Sequence, residues 1–174
     1  MNQLIKNETV SLRPLEPTDL DTLYNWENDT ALWMVSDTVA PYSRAALWQY
    51  LEGYTGDLYA QRQLRLMITL ANDGTPVGTI DYLNFDPLNN RAELGLFIDR
   101  DHRGKGLGRE ALELLTDYSR EHLGLRQLYV FIDVANEVCL KLFKDFGYHQ
   151  VGVINSWVKR GTTYHDVALL QMIL

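Results

Sequence analysis

The chain has 174 residues, 46% hydrophobic and 22% charged, which fits one soluble globular domain with room for a sizeable core. Its net charge of −7 argues against a general nucleic-acid binder and is compatible with a cationic small substrate such as an amine, although acidity for solubility alone is the plainer reading. No apolar run approaches the roughly 18 residues of a membrane span, the start is polar where a signal peptide is apolar, and the single cysteine, Cys139, excludes an internal disulfide framework or a cysteine-rich metal site; the expected setting is the cytoplasm, away from membranes.

The pattern along the chain predicts alternating elements. "TVSLRPL" (9–15) reads as a first strand. "PTDLDTLYNWENDTAL" (17–32) reads as a helix capped by Thr18 or Asp19. "PYSRAALWQYLEGY" (41–54) reads as a second helix, with Ser43 as its cap and Gly53 near its end. Three strands follow with short connections, "QLRLMITLAN", "VGTIDYLNFD" and "RAELGLFID", turning at "DGTP" and "PLNN"; they should be antiparallel. Then come a helix from Leu107 to Gly124, a strand "RQLYVFIDV", and a helix "EVCLKLFKDF" capped by Asn136 and stopped by Gly147. Two strands joined near "KRGTT" close the chain. The expectation is a single α/β domain over residues 1–174, with a mixed, mostly antiparallel sheet of about seven strands and about four helices.

The run "HRGKGLGRE" (102–110) lies between a strand and a helix start. Free amides and the helix dipole favour an anion there. It is not a Walker A loop, because Gly106 is followed by Leu107 and Gly108 rather than Lys and Ser/Thr. Read from Gly106, G-x-G-x-x-A matches the dinucleotide fingerprint, but the preceding βαβ start and the downstream acidic residue are lacking. Arg103-x-x-Gly106-x-Gly108 fits better: it is the R/Q-x-x-G-x-G/A motif of the GNAT N-acetyltransferase superfamily. "NEVCLKLFKDFGY" resembles that family's downstream helix. "LRPLEPTDLDTLYNW" and "YHDVALL" resemble the branch holding spermidine and ribosomal-protein N-terminal acetyltransferases. The resemblance runs from about Val10 onward.

The resemblance implies a coenzyme A pyrophosphate cradled by Arg103, Gly104, Lys105, Gly106, Leu107, Gly108 and Arg109, where glycine lets backbone approach phosphate closely. It implies that the strand around Leu96, Phe97 and Ile98 is splayed by a bulge, with Gly95 as the place for the distortion, and that its backbone binds the pantetheine arm and steadies the oxyanion. It also implies that Asn136 is a coenzyme A ligand. Phe143 stands where many relatives carry a tyrosine that protonates the leaving thiolate, and phenylalanine has no proton to give.

Transfer to nitrogen needs a neutral amine, and an alkyl amine with a pKa near ~10.4 is about one part in a thousand neutral at pH 7. Glu93, which matches an acidic position of the spermidine-acetylating branch, is the candidate general base, with Asp81 second. Cys139 lies one turn before Phe143, in an apolar stripe that reads as core. The acidic residues Glu27, Asp29, Asp37 and Glu52 could attract a polyamine, and Trp26, Trp33, Trp48, Tyr42 and Tyr50 could stack on a cation. His102, His122, His149 and His165 lack metal-ligand spacing, so no metal is expected. The expected activity is acetyl transfer from acetyl-coenzyme A to a polyamine or other small amine. A protein N-terminus, an aminoglycoside, a non-catalytic coenzyme A binder and a nucleotide-binding module stand as alternatives. Relatives in this branch form dimers or larger assemblies, which makes a homo-oligomer an expectation.

Overall fold

Antiparallel turns and two helical crossovers build one seven-stranded sheet. The structure, a computed structural model, describes residues 5–33, 36 and 38–174. The strands are β1 (Val10–Pro14), β2 (Leu64–Leu70), β3 (Pro76–Asp86), β4 (Arg91–Ile98), β5 (Gln127–Asp133), β6 (His149–Arg160) and β7 (Thr163–Ile173), in spatial order β1-β2-β3-β4-β5-β7-β6. Every neighbouring pair is antiparallel except β4 with β5. A parallel pair requires a crossover, and α5 (Leu107–Glu121) supplies it.

The remaining helices are α1 (Leu20–Glu27), α2 (Thr30–Trp33), α3 (Arg44–Glu52), α4 (Leu58–Gln61) and α6 (Glu137–Phe146). The helix expected over 17–32 divides into a 3-10 turn at Pro17–Asp19, then α1, then α2. Asn28 leaves the helical conformation, and its side chain instead holds the loop ahead of α3 through the Tyr42 carbonyl and amide. Asn28 and Asp29 offer such local alternatives to helix. Ser43 caps α3 by accepting from the Ala46 amide, as expected. The short α4, capped by Asp57, was not expected from the sequence; it is one turn long and carries little periodicity.

Alternation along the strands gives the sheet two faces. Leu12, Ile68, Ile80, Tyr82, Leu94, Leu128 and Val130 point to one face, where α5 and α6 cover them in the main core. The opposite face carries a smaller cluster of Leu15, Leu23, Leu51 and Met67 beneath α1 and α3. On α5 the buried positions Leu107, Ala111, Leu112, Leu114 and Leu115 form a continuous stripe. Among the described residues, no helix is long and apolar enough to cross a membrane.

Candidate active site

The parallel pair β4–β5 is bonded at only three positions, Arg91↔Gln127, Ala92↔Leu128 and Glu93↔Tyr129. Yet β4 continues to Ile98 and β5 to Asp133. The two strands therefore part after Glu93, and a V-shaped gap opens toward their C-terminal ends. Backbone groups of β4 that would have met β5 face this gap, which suits an extended ligand added as a strand. The splay is thus present at Leu96, Phe97 and Ile98, but its expected cause is not. Pairing of β3 with β4 runs unbroken from Gly78↔Ile98 to Leu83↔Glu93, straight through Gly95. The irregularity falls instead between Leu83 and Asp86 on β3, where Asn84 has a positive φ of 46°. Gly95 serves another purpose: a Cβ there would stand 3.2 Å from Asp81 Oδ2.

The glycine loop sits at the mouth of the gap. Gly104 (φ 72°) and Gly106 (φ 80°) hold the left-handed conformation that other residues avoid, with open space where a Cβ would be. Gly108 differs. It packs α5 onto β4, and a Cβ there would touch Leu96, Ile98 and Leu142. Among the described residues, the amides of 104–108 find no acceptor; the helical ladder starts with the Arg109 and Glu110 amides on the Gly106 carbonyl. Such a nest of free N–H groups at a fifteen-residue helix start suits a pyrophosphate. The nearby cations are drawn back onto carbonyls: Arg103 Nε donates to Ile98 O at 2.9 Å, and Lys105 Nζ to Asp101 O at 2.9 Å. Arg109 lies over the Phe146 ring.

Across the gap, Asn136 caps α6 by accepting from the Cys139 amide, and its own amide N–H donates to Asp133 O. Its Nδ2 has no partner among the described residues. Phe143 is 1% exposed, edge-on to Tyr148 with ring centroids 5.0 Å apart, so it presents no open face to a ligand here. Burial pushes the Cys139 thiol up to about 11, which leaves it protonated near neutral pH and unlike an activated nucleophile.

On the α1–α3 face, Trp26 stands edge-on to Phe97 at 5.2 Å, and Arg100 pairs with Asp29 at 3.3 Å; both tie α1 and its end to the β4 rim. Glu93 lies at the closed end of the gap and accepts from Asn84 Nδ2 at 2.7 Å. Asp81 is buried and gripped by Arg65 through two bonds, 2.9 and 3.2 Å, while Arg65 also reaches Glu27 at 2.9 Å. Burial pushes the Asp81 carboxyl upward and the guanidinium pulls it back; the paired geometry supports an ion pair. Trp33 Nε1 is occupied by the Glu27 carbonyl. Tyr50 is half-buried, whereas Tyr42, Trp48 and Glu52 are exposed. Asp37 lies outside the described residues.

One pairing had no local signal in the sequence. His165 on β7 meets Asp133 on β5, 32 positions away, with Nδ1 at 2.9 Å from Oδ2 and 3.2 Å from Oδ1. Among the described residues, no cluster of side chains has the makings of a metal site.

Residues 9–149 match the family described as "Acetyltransferase (GNAT) domain". The chain is 27% identical over 147 residues to the spermidine N(1)-acetyltransferase of Escherichia coli K12, covering 83% of this chain and 75% of the relative. It is 25% identical over 114 residues to the ribosomal-protein-serine acetyltransferase of the same strain, covering 66% of this chain and 64% of the relative. In fold it superposes with a TM-score of 0.83 on the spermidine N-acetyltransferase of Vibrio cholerae in complex with CoA and spermine, at 23% identity and 96% coverage of both chains. With the family matched over most of its length and the splayed strands and glycine loop in place, the chain belongs to the GNAT acetyltransferases and is an acetyl-coenzyme A-dependent N-acetyltransferase.

Proposed function

We propose that the acceptor is a primary amine of a polyamine such as spermidine or spermine. The observation that carries this reading is the charge on the acceptor face. Glu27, Asp29, Asp81 and Glu93 stand there as four carboxylates against two guanidinium groups, Arg65, which holds Glu27 and Asp81, and Arg100, which pairs with Asp29. A face with excess negative charge draws a polycation and raises its local concentration. The similarity to a spermidine N(1)-acetyltransferase supports the same class of acceptor.

In this reading the nest at 104–108 takes the pyrophosphate, and the exposed edge of Leu96, Phe97 and Ile98 takes the pantetheine arm. Asn136 Nδ2 is a further donor on the opposite rim. Glu93 removes the first proton from the arriving ammonium, directly or through water. The test is release of free thiol from acetyl-coenzyme A with spermidine, spermine and N-terminal peptides, with the acetylated product weighed by mass spectrometry. Turnover with the polyamines and none with peptides is expected. Transfer to peptides alone would move the acceptor to a protein N-terminus. Glu93→Gln should slow turnover and change its pH dependence; an unchanged profile would leave Glu93 as no more than a partner of Asn84.

A further inference from the structure

A sheet with one face in water alternates apolar residues inside with polar ones outside. The outer block of β5, β7 and β6 departs from that pattern. Leu128, Val130 and Ile132 on β5, with Ala168 and Leu170 on β7, turn to the main core. The residues between them turn to the α1–α3 side: Gln127, Tyr129 and Phe131 on β5 and, paired with them, Ile173, Gln171 and Leu169 on β7. None of the six is charged, in a chain with 22% charged residues and a net charge of −7. Phe131 and Ile173 stand 39% and 51% exposed, and Tyr129 packs edge-on to Phe131. Among the described residues, no helix covers this half of the face. The cluster beneath α1 and α3 is built on Leu15, Leu23, Leu51 and Met67 and takes nothing from β5, β6 or β7.

Charge decides what covers it. A second copy of the chain carries the same −7, so two copies repel except where they meet through neutral surface. A two-fold axis sets one patch against itself. Charged residues would then face their like, whereas aromatic, aliphatic and amide side chains meet their own kind without repulsion. The glutamines suit this arrangement. Gln171 Nε2 donates to Gln127 Oε1. Among the described residues, Gln127 Nε2 and Gln171 Oε1 are left as a donor and an acceptor, each the complement of the other on a second copy. Charge begins only at the tip of β5, where Asp133 is already matched by Arg160 at 3.5 Å and by His165 at 2.9 Å. Pairing along the free edge of β6 is a poor alternative, because register shifts at Gln150/Gly152 and Ile154/Val158 interrupt that edge.

Size says how far the contact runs. Three strands about 4.8 Å apart, seven residues long at ~3.3 Å per residue, span about 14 by 23 Å. Each partner of a stable pair buries roughly 800 Å², more than this footprint supplies. Beyond β6 the sheet ends. The contact therefore extends the other way, past Tyr129, which is the last residue of β5 bonded to β4 and lies opposite Glu93. The gap opens from that pair.

We propose that the uncharged face of β5 and β7 is the contact between two copies of this chain, and that the second copy walls the side of the gap that α1 and α3 leave open. The second half rests on the acceptor reading above. The acceptor then enters a groove closed on both sides instead of an open slot, and a single chain holds it weakly.

Sedimentation velocity of the natural chain, Phe131→Glu and Ile173→Glu, across roughly 0.1 to 100 µM, measures the association. Thiol release from acetyl-coenzyme A with spermidine over the same concentrations measures its consequence. The natural chain should form dimers, and its activity per chain should fall on dilution through the dissociation constant. Each substitution sets carboxylates against each other and should weaken association by about 100-fold or more. The variants should keep the thermal shift given by coenzyme A, which shows them folded, and should have a raised KM for spermidine. A natural chain that stays monomeric over the whole range overturns the contact. Association unmoved by either substitution places the contact on another surface and also overturns it. Dissociation with an unchanged KM for spermidine overturns the shared groove and leaves acetyl transfer standing. No thiol release by the natural chain with any amine overturns the acceptor reading and the groove with it, while the contact is still decided by sedimentation.

Discussion

Two tyrosines in the core show how much the partner of one atom matters. Tyr82 Oη is bonded to Ser119 Oγ at 2.6 Å and lies 3.2 Å from Leu115 O, so its burial is compensated. Tyr148 Oη is as deeply buried, has no partner among the described residues, and burial drives its ionisation far above the ordinary range. An unpartnered buried hydroxyl costs about 1–3 kcal/mol in lost hydration. Tyr148→Phe should therefore raise stability by ~1 kcal/mol in urea unfolding with an unchanged slope, whereas Ser119→Ala should lower it by a similar amount. A destabilised Tyr148→Phe would mean that the hydroxyl has a partner such as buried water. The pair Arg13–Asp19 gives the opposite case, two bonds of 2.8 Å to a carboxyl that is almost wholly buried. Burial opposes ionisation of Asp19, but Arg13 and the Glu16 amide prevail and hold its pKa below the ordinary value. The unfolded chain then binds more protons than the native one as pH falls below about 4. Stability from this pair is present above that point and is lost as pH falls through the lowered native value. Urea midpoints measured between pH 6 and 3 should fall less steeply for Asp19→Asn than for the natural chain; parallel curves would remove the pair from the acid response.

At the scale of elements, β4 depends on its neighbour. Gly78 on β3 lies opposite Ile98, and a Cβ there would stand 2.1 Å from the Phe97 carbonyl oxygen, closer than atoms can approach. Gly78→Ala must push the outer half of β4 aside. Overpacking of this kind costs roughly 1–3 kcal/mol, and the displaced edge is the one that faces the gap. Weaker stabilisation by coenzyme A, beyond the loss of stability, is the expected outcome; an unchanged thermal shift would show that the edge does not bind the donor. Gly106→Val tests the loop separately. No atom stands where its Cβ would go, so the penalty is a branched residue at φ 80°, which twists the free amides out of line. It should abolish the shift given by coenzyme A while leaving the sheet folded. The contrast shows what sequence can carry. "RGKGLG" is a local signal, and so are the Asn136 cap and the Gly147 stop, because each is settled by neighbours in the chain. Gly78 and Gly95 look like ordinary strand glycines, and their reasons, the Phe97 carbonyl and the Asp81 carboxylate, come from other strands. The His165–Asp133 pair was hidden for the same cause: only the β5–β7 register brings the two together.

At the scale of the whole molecule, the single sheet is two unequal blocks joined at a narrow seam. Strands β1 to β4 form one antiparallel block and β5, β7 and β6 another, and three parallel pairs connect them. Above the seam α5 and α6 cover the blocks on one face, through Leu107, Ala111 and Phe143 in the main core. A strand-like ligand in the gap would restore the missing ladder and link the blocks where the sheet lacks bonds. Antiparallel pairing with β3 uses every second amide of β4, so the others between Leu94 and Ile98 face the gap unbonded. Such amides exchange with solvent through small local openings, whereas those bonded to β3 await larger ones. Hydrogen exchange followed residue by residue should thus show an alternating pattern along outer β4, with the gap-facing amides fast. Saturating coenzyme A should slow those amides and the nest at 104–108 together, and should leave the edge strands β1 and β6 with only the uniform gain that ligand binding gives to global stability. Protection confined to 104–108 would mean that the donor is held by its phosphates alone, with the pantetheine arm outside the sheet. Protection spread evenly over all seven strands would mean that the gap amides open only with the whole fold, and that the seam is stronger than three pairs imply.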